Sequence, residues 1–238
     1  MKPLAMVTGG AKRVGREICL HLAKQGFDII LHYRHSETEA VSTRQELVDL
    51  GANVTVVQAD LTVDAEIRRL FADISNKRPL KLLVNTASNM PRTNILEPDY
   101  DTFSKTLAIN LYAPWLCSSL AAETMIEGGL ILNFSDVGTR KLWTAYPEYI
   151  FAKNSVEILT RMLAKKLAPR IRVNAIAPGM LMKADDITNE EWERLVAKAP
   201  LKHGVPIKDL LASIDFLLRN KYVTGEIIDL SSGYQVTR

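Results

Sequence analysis

The sequence predicts a doubly wound α/β fold, a parallel sheet with helices on both faces, in a single domain spanning residues 1–238. Three observations lead there. Short β-rich apolar runs alternate with longer amphipathic stretches, a glycine-bearing turn separates the first run from the first helix, and no Pro/Gly/Ser-rich linker divides the chain. Repeated alternation of this kind makes a parallel sheet, because parallel strands need crossover connections.

Taken in order, Leu4 to Thr8 reads as a strand, Val14 to Gln25 as a helix and Phe27 to Tyr33 as a second strand. Further strands are expected over Val54 to Gln58, Leu80 to Asn85, Leu130 to Phe134, Arg172 to Ile176 and Ile227 to Leu230, with helices filling most of the gaps. The longest stretch without a strand runs from Gly179 to Arg219, and within it Met180 to Lys198 reads as a loop plus a helix. An excursion of this length at a strand's C-terminal edge is usually functional, so residues 180–206 are expected to form a lid over a substrate, a surface helical insert being the alternative with the same pattern.

Composition narrows the function classes. A hydrophobic content of 47% over 238 residues is enough for one substantial core. The net charge of +3 is a small excess of 30 Lys+Arg over 27 Asp+Glu, spread along the chain. The basic runs at Lys12-Arg13 and from Lys165 to Arg172 are short, and neither resembles a nucleic-acid-binding module. The N-terminal apolar run is too short for a signal peptide, and no window approaches the length of a membrane span. Cys19 and Cys117 lie far apart, with no His or Cys at metal-ligand spacing, and read as buried structural thiols; no metal is expected. A cytoplasmic protein acting on a small molecule, with neither nucleic acid nor membrane as partner, is the simplest expectation.

Directly after the first strand stands Thr8-Gly9-Gly10-Ala11-Lys12-Arg13-Val14-Gly15. Glycines between a strand and a helix let backbone N–H groups and the helix N-terminus approach a pyrophosphate that a Cβ would obstruct, as in Rossmann-type dinucleotide sites. The end of the second strand then chooses the dinucleotide. An acid there would bind ribose hydroxyls, whereas this chain offers Tyr33-Arg34-His35-Ser36 with no carboxylate before Glu37. Arg34 and Ser36 suit a 2′-phosphate, and Arg13 reinforces them, so NADPH/NADP+ is the expected cofactor.

Tyr149 and Lys153 stand four residues apart, and Tyr146 precedes Tyr149 by three, so on a helix all three share a face. A phenol is a poor acid-base catalyst at neutral pH, and a neighbouring ammonium is expected to lower its pKa by favouring the phenolate.

The glycine turn, the Tyr149/Lys153 pair, Asn85-Thr86-Ala87-Ser88, Asn110 and the run Arg172 to Gly179 appear together in the order seen in short-chain dehydrogenases/reductases, and the chain resembles that family from Thr8 to about Gly233. The resemblance implies that Tyr149 handles the proton, that Lys153 also holds the nicotinamide ribose, and that Asn110 supports a water relay. It implies cofactor contacts from Gly9, Arg13, Val14, Gly15, Asp60, Leu61, Asn85, Ala87, Pro178 and Gly179, and a homodimer or homotetramer packed through the fourth and fifth helices.

Two departures narrow the likeness. Arg13 replaces the middle glycine of the turn, and Asp136 stands thirteen residues before Tyr149, where the family has Ser. Both resemble the pteridine reductase branch, as does the strand end Leu31-His32-Tyr33. Met90, where that branch carries a stacking aromatic, points the other way. The implied substrate contacts are Arg13, Ser88, Met90, Asp136, Tyr146 and Tyr149.

An ionised carboxylate accepts hydrogen bonds and repels an oxyanion, so Asp136 suits a ring rich in N–H groups better than a ketone. A turn-capping Asp136, or a register in which Ser135 takes the usual Ser role, are the alternatives. They leave open a pterin-like heterocycle, a carbonyl or 3-oxoacyl-thioester substrate, or a non-catalytic NADPH sensor.

Overall fold

The computed structural model describes residues 1–75, 78–183 and 187–237. Among the described residues seven strands, all parallel, form one sheet: β1 (Leu4–Thr8), β2 (Asp28–Tyr33), β3 (Val54–Gln58), β4 (Leu82–Asn85), β5 (Gly129–Phe134), β6 (Ile171–Pro178) and β7 (Ile227–Leu230). Their order across the sheet is β3-β2-β1-β4-β5-β6-β7. Every strand expected from the sequence is present. The largest difference is at β6, which begins one residue earlier and runs two residues further, to Pro178.

The strands are apolar on both faces because helices cover both. Met6, Leu83 and Ile131 face one core, with α3 (Asp64–Ser75), α5 (Ala113–Thr124) and α7 (Pro147–Leu167) packed over it. Their sequence neighbours Val7, Leu82 and Leu132 face the other, under α1 (Arg13–Lys24), α2 (Glu37–Asp49) and α9 (Ile207–Arg219). This period of two places successive side chains on opposite sides of the sheet. Cys19 and Cys117 are buried free thiols, one in each core, and burial pushes the Cys117 thiol up to about 12.

Local signals fix the helix starts. Asp99 accepts from the Thr102 N–H at 2.7 Å to cap α4 (Tyr100–Leu107), and Pro147 occupies the first turn of α7, where its missing N–H costs nothing. Between α4 and α5 the helix widens into a π turn over Ala108–Tyr112. A short α6 (Gly138–Lys141) follows β5.

The excursion after β6 is tied to the body at several places: the Val205 N–H donates to the Met180 carbonyl at 2.9 Å, the Leu201 N–H to the Ser232 carbonyl at 3.2 Å, and Leu181 packs against the core. Within it, α8 (Asn189–Val196) starts on a reciprocal cap between Thr188 and Glu191 and buries none of its residues. Residues 184–186 of this stretch lie outside the described part. Among the described residues no helix is long and apolar enough to cross a membrane.

The strand order reverses direction at β1, with β2 on one side and β4 on the other. Crossovers leave to opposite faces there, opening a crevice at the carboxyl ends of the two strands.

Candidate active site

Two strand ends, Thr8 and Asn85, are register partners at that crevice. The Thr8 hydroxyl accepts the backbone N–H groups of Thr86 and Ala87 at 3.0 and 3.1 Å, while its carbonyl accepts from the Thr86 hydroxyl. The loop after β4 is thereby fastened to the glycine turn. Gly9 has φ +67°, and a Cβ on it would lie 3.2 Å from the Ala87 Cα; a Cβ on Gly15 would lie 2.1 Å from the Gly9 carbonyl oxygen. Neither position tolerates a side chain, which keeps the turn tight against α1. No side chain caps that helix, so its first N–H groups stay available at the cleft. Arg13 occupies a left-handed conformation, φ 51°, which accounts for glycine being the usual choice there. Its guanidinium donates to the Lys183 carbonyl at 3.0 Å.

His32, which sequence reasoning passed over, locks this turn. Its Nδ1 accepts the Gly9 N–H at 3.1 Å and its Nε2 lies 3.0 Å from the Ala59 carbonyl. Those two partners fix a neutral ring with the proton on Nε2, and burial pushes its pKa down. One imidazole therefore ties the glycine turn to the end of β3.

At the adenosine end, Arg34 is half exposed and its guanidinium lies 2.8 Å from an Asp60 carboxylate oxygen. The other Asp60 oxygen takes the Thr62 N–H and hydroxyl at 2.9 and 2.7 Å. Partial burial works to raise this carboxyl, but the Thr62 donors and the Arg34 charge outweigh it and hold Asp60 low. Asp60 thus orients Arg34 rather than lining the cleft itself.

At the catalytic end, Asp136 bridges two structures. One carboxylate oxygen accepts the Gly138 N–H at 2.6 Å, and the other accepts the Tyr149 hydroxyl at 2.9 Å. The cap and the facing of Tyr149 are one arrangement, not alternatives. Ser135 turns away: its hydroxyl donates to Glu157 at 2.6 Å on the far side of the loop. The register in which Ser135 faces Tyr149 is therefore not the one adopted, since successive residues after β5 point to opposite sides.

The charge expectation for Tyr149 is also corrected. Burial, then the Asp136 carboxylate, push the phenol well above its usual value, so in this state it is a held proton donor, not a phenolate. Lys153 lies 5.5 Å from the Tyr149 ring centre and donates to the Phe134 carbonyl at 2.8 Å, and burial lowers it to about 8 against the pull of Asp136. Burial raises Asp136 too, opposed by the Gly138 N–H, Tyr149 and Lys153.

Most of the expected residues meet in one cleft of about 620 Å³. Gly9, Arg13, Val14, Gly15, Tyr33 to Ser36, Leu61, Ala87, Ser88, Ser135, Asp136, Tyr149, Lys153 and Pro178 line it. Lys105 lines it as well, unforeseen because an exposed helical lysine carries no signal in the sequence.

Asp60, Asn85, Met90, Asn110, Tyr146 and Gly179 do not line it. Asn85 is buried beneath, donating to Ser118 and Asn133, so its side chain joins β4 to β5 and α5 instead of reaching a ligand. Asn110 sits in the π turn, accepting from Ser88 at 2.5 Å and donating to the Asn89 carbonyl at 2.9 Å. Tyr146 precedes α7 instead of sharing its face with Tyr149, because Pro147 starts the helix; its ring meets the edge of Trp143 at 6.2 Å. Met90 is a partly exposed residue of the loop after β4.

Comparison with known proteins agrees with this geometry. A family profile described as "Enoyl-(Acyl carrier protein) reductase" matches residues 9–235. The chain is similar to an NADPH-dependent aldehyde reductase-like chloroplastic protein of Arabidopsis thaliana, 30% identical over 97% of this chain and 93% of that one. It is similar to the dihydromonapterin reductase of Enterobacter sp. (strain 638), 28% identical over 96% and 95% of the two chains. Among solved structures it resembles FolM alternative dihydrofolate reductase 1 of Brucella canis complexed with NADP, with a TM-score of 0.94 and 32% identity, covering 99% of this chain and 95% of that one.

Proposed function

The chain belongs to the short-chain dehydrogenase/reductase family, and from that premise we propose that it is an NADPH-dependent reductase of a pterin-like heterocycle of the dihydropterin type. The observation that carries this reading is the Asp136–Tyr149 hydrogen bond at 2.9 Å, formed where the family places a serine, with Ser135 turned to Glu157.

The cradle fits the cofactor. The close-packed glycines and the uncapped start of α1 suit a pyrophosphate held by the backbone of Gly9, Arg13, Val14 and Gly15. Arg34, with Tyr33, His35 and Ser36 beside it, is placed for a 2′-phosphate, and Asp60 and Leu61 flank the adenosine end. Ala87, Pro178, Gly179, Tyr149 and Lys153 border the nicotinamide end. When bound, NADPH supplies the hydride.

What remains for the protein is a proton. Reducing a C=N bond adds hydride to carbon and a proton to nitrogen, and the Tyr149–Asp136 couple holds that proton in a hydrogen bond between two residues that line the cleft. The Asp136 carboxylate also accepts from a ring N–H, orienting the heterocycle. Arg13 and Ser88 line the substrate side, Met90 and Tyr146 stand outside the cleft and would border a bound ring only after a local movement, and residues 180–206 are its cover; the tie between Arg13 and the Lys183 carbonyl supports that cover. A cytoplasmic homo-oligomer is part of the same proposal. It is supported by an apolar stripe on α7, where Phe151, Ile158 and Met162 are exposed at helical spacing.

One observation favours a second reading. Burial favours the protonated form of Asp136, and a protonated carboxyl donates to a carbonyl oxygen as serine would. NADPH oxidation on dihydrobiopterin, dihydrofolate and simple aldehydes and ketones separates the two. On dihydropterins Asp136→Asn is expected to lower turnover by roughly 10²-fold, and Ser135→Ala to have a mild effect. Turnover confined to carbonyl compounds, or an active Asp136→Asn beside a crippled Ser135→Ala, overturns the pterin assignment.

A further inference from the structure

The loop that carries Asp136 is held by charges that the proton couple does not use. One Glu157 oxygen, on α7 and almost fully buried, accepts from Ser135 at 2.6 Å, Thr139 at 3.2 Å and Arg140 at 2.5 Å. The other arm of the Arg140 guanidinium reaches Asp229 on β7 at 2.9 Å. Thr139 in turn donates its N–H to the Asp136 carbonyl at 3.1 Å, and its single hydroxyl hydrogen is shared between that carbonyl at 2.8 Å and Glu157.

Glu157 follows Lys153 by one helical turn and Tyr149 by two, so the helix that presents the phenol also presents the anchor of the loop facing it. Three elements converge on one guanidinium, and the residue they flank is Asp136. The buried Glu157 carboxylate needs its cation, because a buried charge left unpaired is costly.

We infer that Arg140 and Glu157, backed by Asp229, are positioning residues that hold Asp136 against Tyr149 and set how readily its carboxyl parts with a proton. The charged groups around the Asp136 loop are Tyr149 and Lys153 from α7, which act on its carboxyl directly, and, on the side to which Ser135 turns, Glu157 from α7, Arg140 from α6 and Asp229 from β7. Within this set Arg140 is the only cation besides Lys153, and Glu157 is its closest counter-ion. Neutralising either partner shifts the balance of charge behind the Asp136 loop, toward positive when Glu157 is lost and toward negative when Arg140 is lost. Simple loosening of the loop would have no such sign.

The inference builds on the Asp136–Tyr149 couple, and its test needs no substrate, so it stands apart from the pterin assignment. The Asp136 carboxyl is titrated by carbon NMR in the NADP+-bound protein, with Asp136→Asn used to identify its signal. Glu157→Gln, which keeps an oxygen for Ser135, is expected to lower the midpoint by about half a pH unit or more, because it leaves Arg140 with Asp229 alone as counter-ion. Arg140→Met is expected to raise it by a similar amount, and Arg140→Lys to leave it near the wild-type value. Should Arg140→Met fail to fold, Glu157→Gln against Arg140→Lys still decides. Midpoints that stay in place, or that move in the same direction in Glu157→Gln and Arg140→Met, overturn the inference and leave the cluster a structural staple.

Discussion

A single imidazole joins two of the loops that form the cofactor cleft, and its charge state decides whether they hold. With Nδ1 accepting the Gly9 N–H and Nε2–H donating to the Ala59 carbonyl, His32 must be neutral; protonation turns the acceptor into a second donor facing the Gly9 N–H. Its folded pKa is depressed by burial, so the unfolded chain binds a proton that the folded one refuses. The stability it contributes is therefore present above the ordinary histidine value of about 6.5 and is lost as the pH falls below it. Fluorescence titration should show NADPH affinity falling more steeply on acidification in the wild-type chain than in His32→Phe, which binds less well throughout and keeps only the pH dependence of the ligand's own phosphate. Arg34 allows a second test at this scale. Its guanidinium is aimed by Asp60, so Arg34→Ala is expected to weaken NADPH at least tenfold, about 1.4 kcal/mol, with little change for NADH. Equal losses for both nucleotides would remove Arg34 from the 2′-phosphate site.

Among the elements, the turn into α1 shows what a sequence does and does not reveal. Its glycines were legible because only a residue without a Cβ fits where one would meet the Gly9 carbonyl at 2.1 Å. The cost of Arg13 was not, since a left-handed φ is a property of the folded turn. Comparing Arg13→Gly with Arg13→Ala isolates that cost, because both lose the same side-chain contacts. The glycine variant should be more stable by about 1 kcal/mol, or roughly 2–4 °C in melting temperature for a chain of this size. Equal melting curves would mean that the turn relaxes around alanine. The segment after β5 was legible in part. The spacing placed Asp136 opposite Tyr149, but the direction of the Tyr149 shift depended on how deeply the pair is buried, and the clasp around Arg140 joins residues up to 89 positions apart.

For the whole molecule, strand content and the parallel arrangement followed from apolar runs alternating with helices, whereas the position of the crevice needed the strand order, which reverses at β1. The α7 stripe leads to a prediction at this scale. Ile158→Glu combined with Met162→Glu should reduce the particle to a monomer by light scattering while NADPH binding persists, because neither residue lines the cleft. A wild-type chain that is already monomeric would remove the oligomer from the proposal. The closure between Val205 and Met180 has a different consequence. Among the described residues the segment is also fastened from Leu201 to Ser232 and from Arg13 to Lys183, so it is stitched to the turn after the last strand and to the glycine turn at once. Whatever remodels this segment is therefore expected to be felt in the glycine turn as well, through the guanidinium of Arg13.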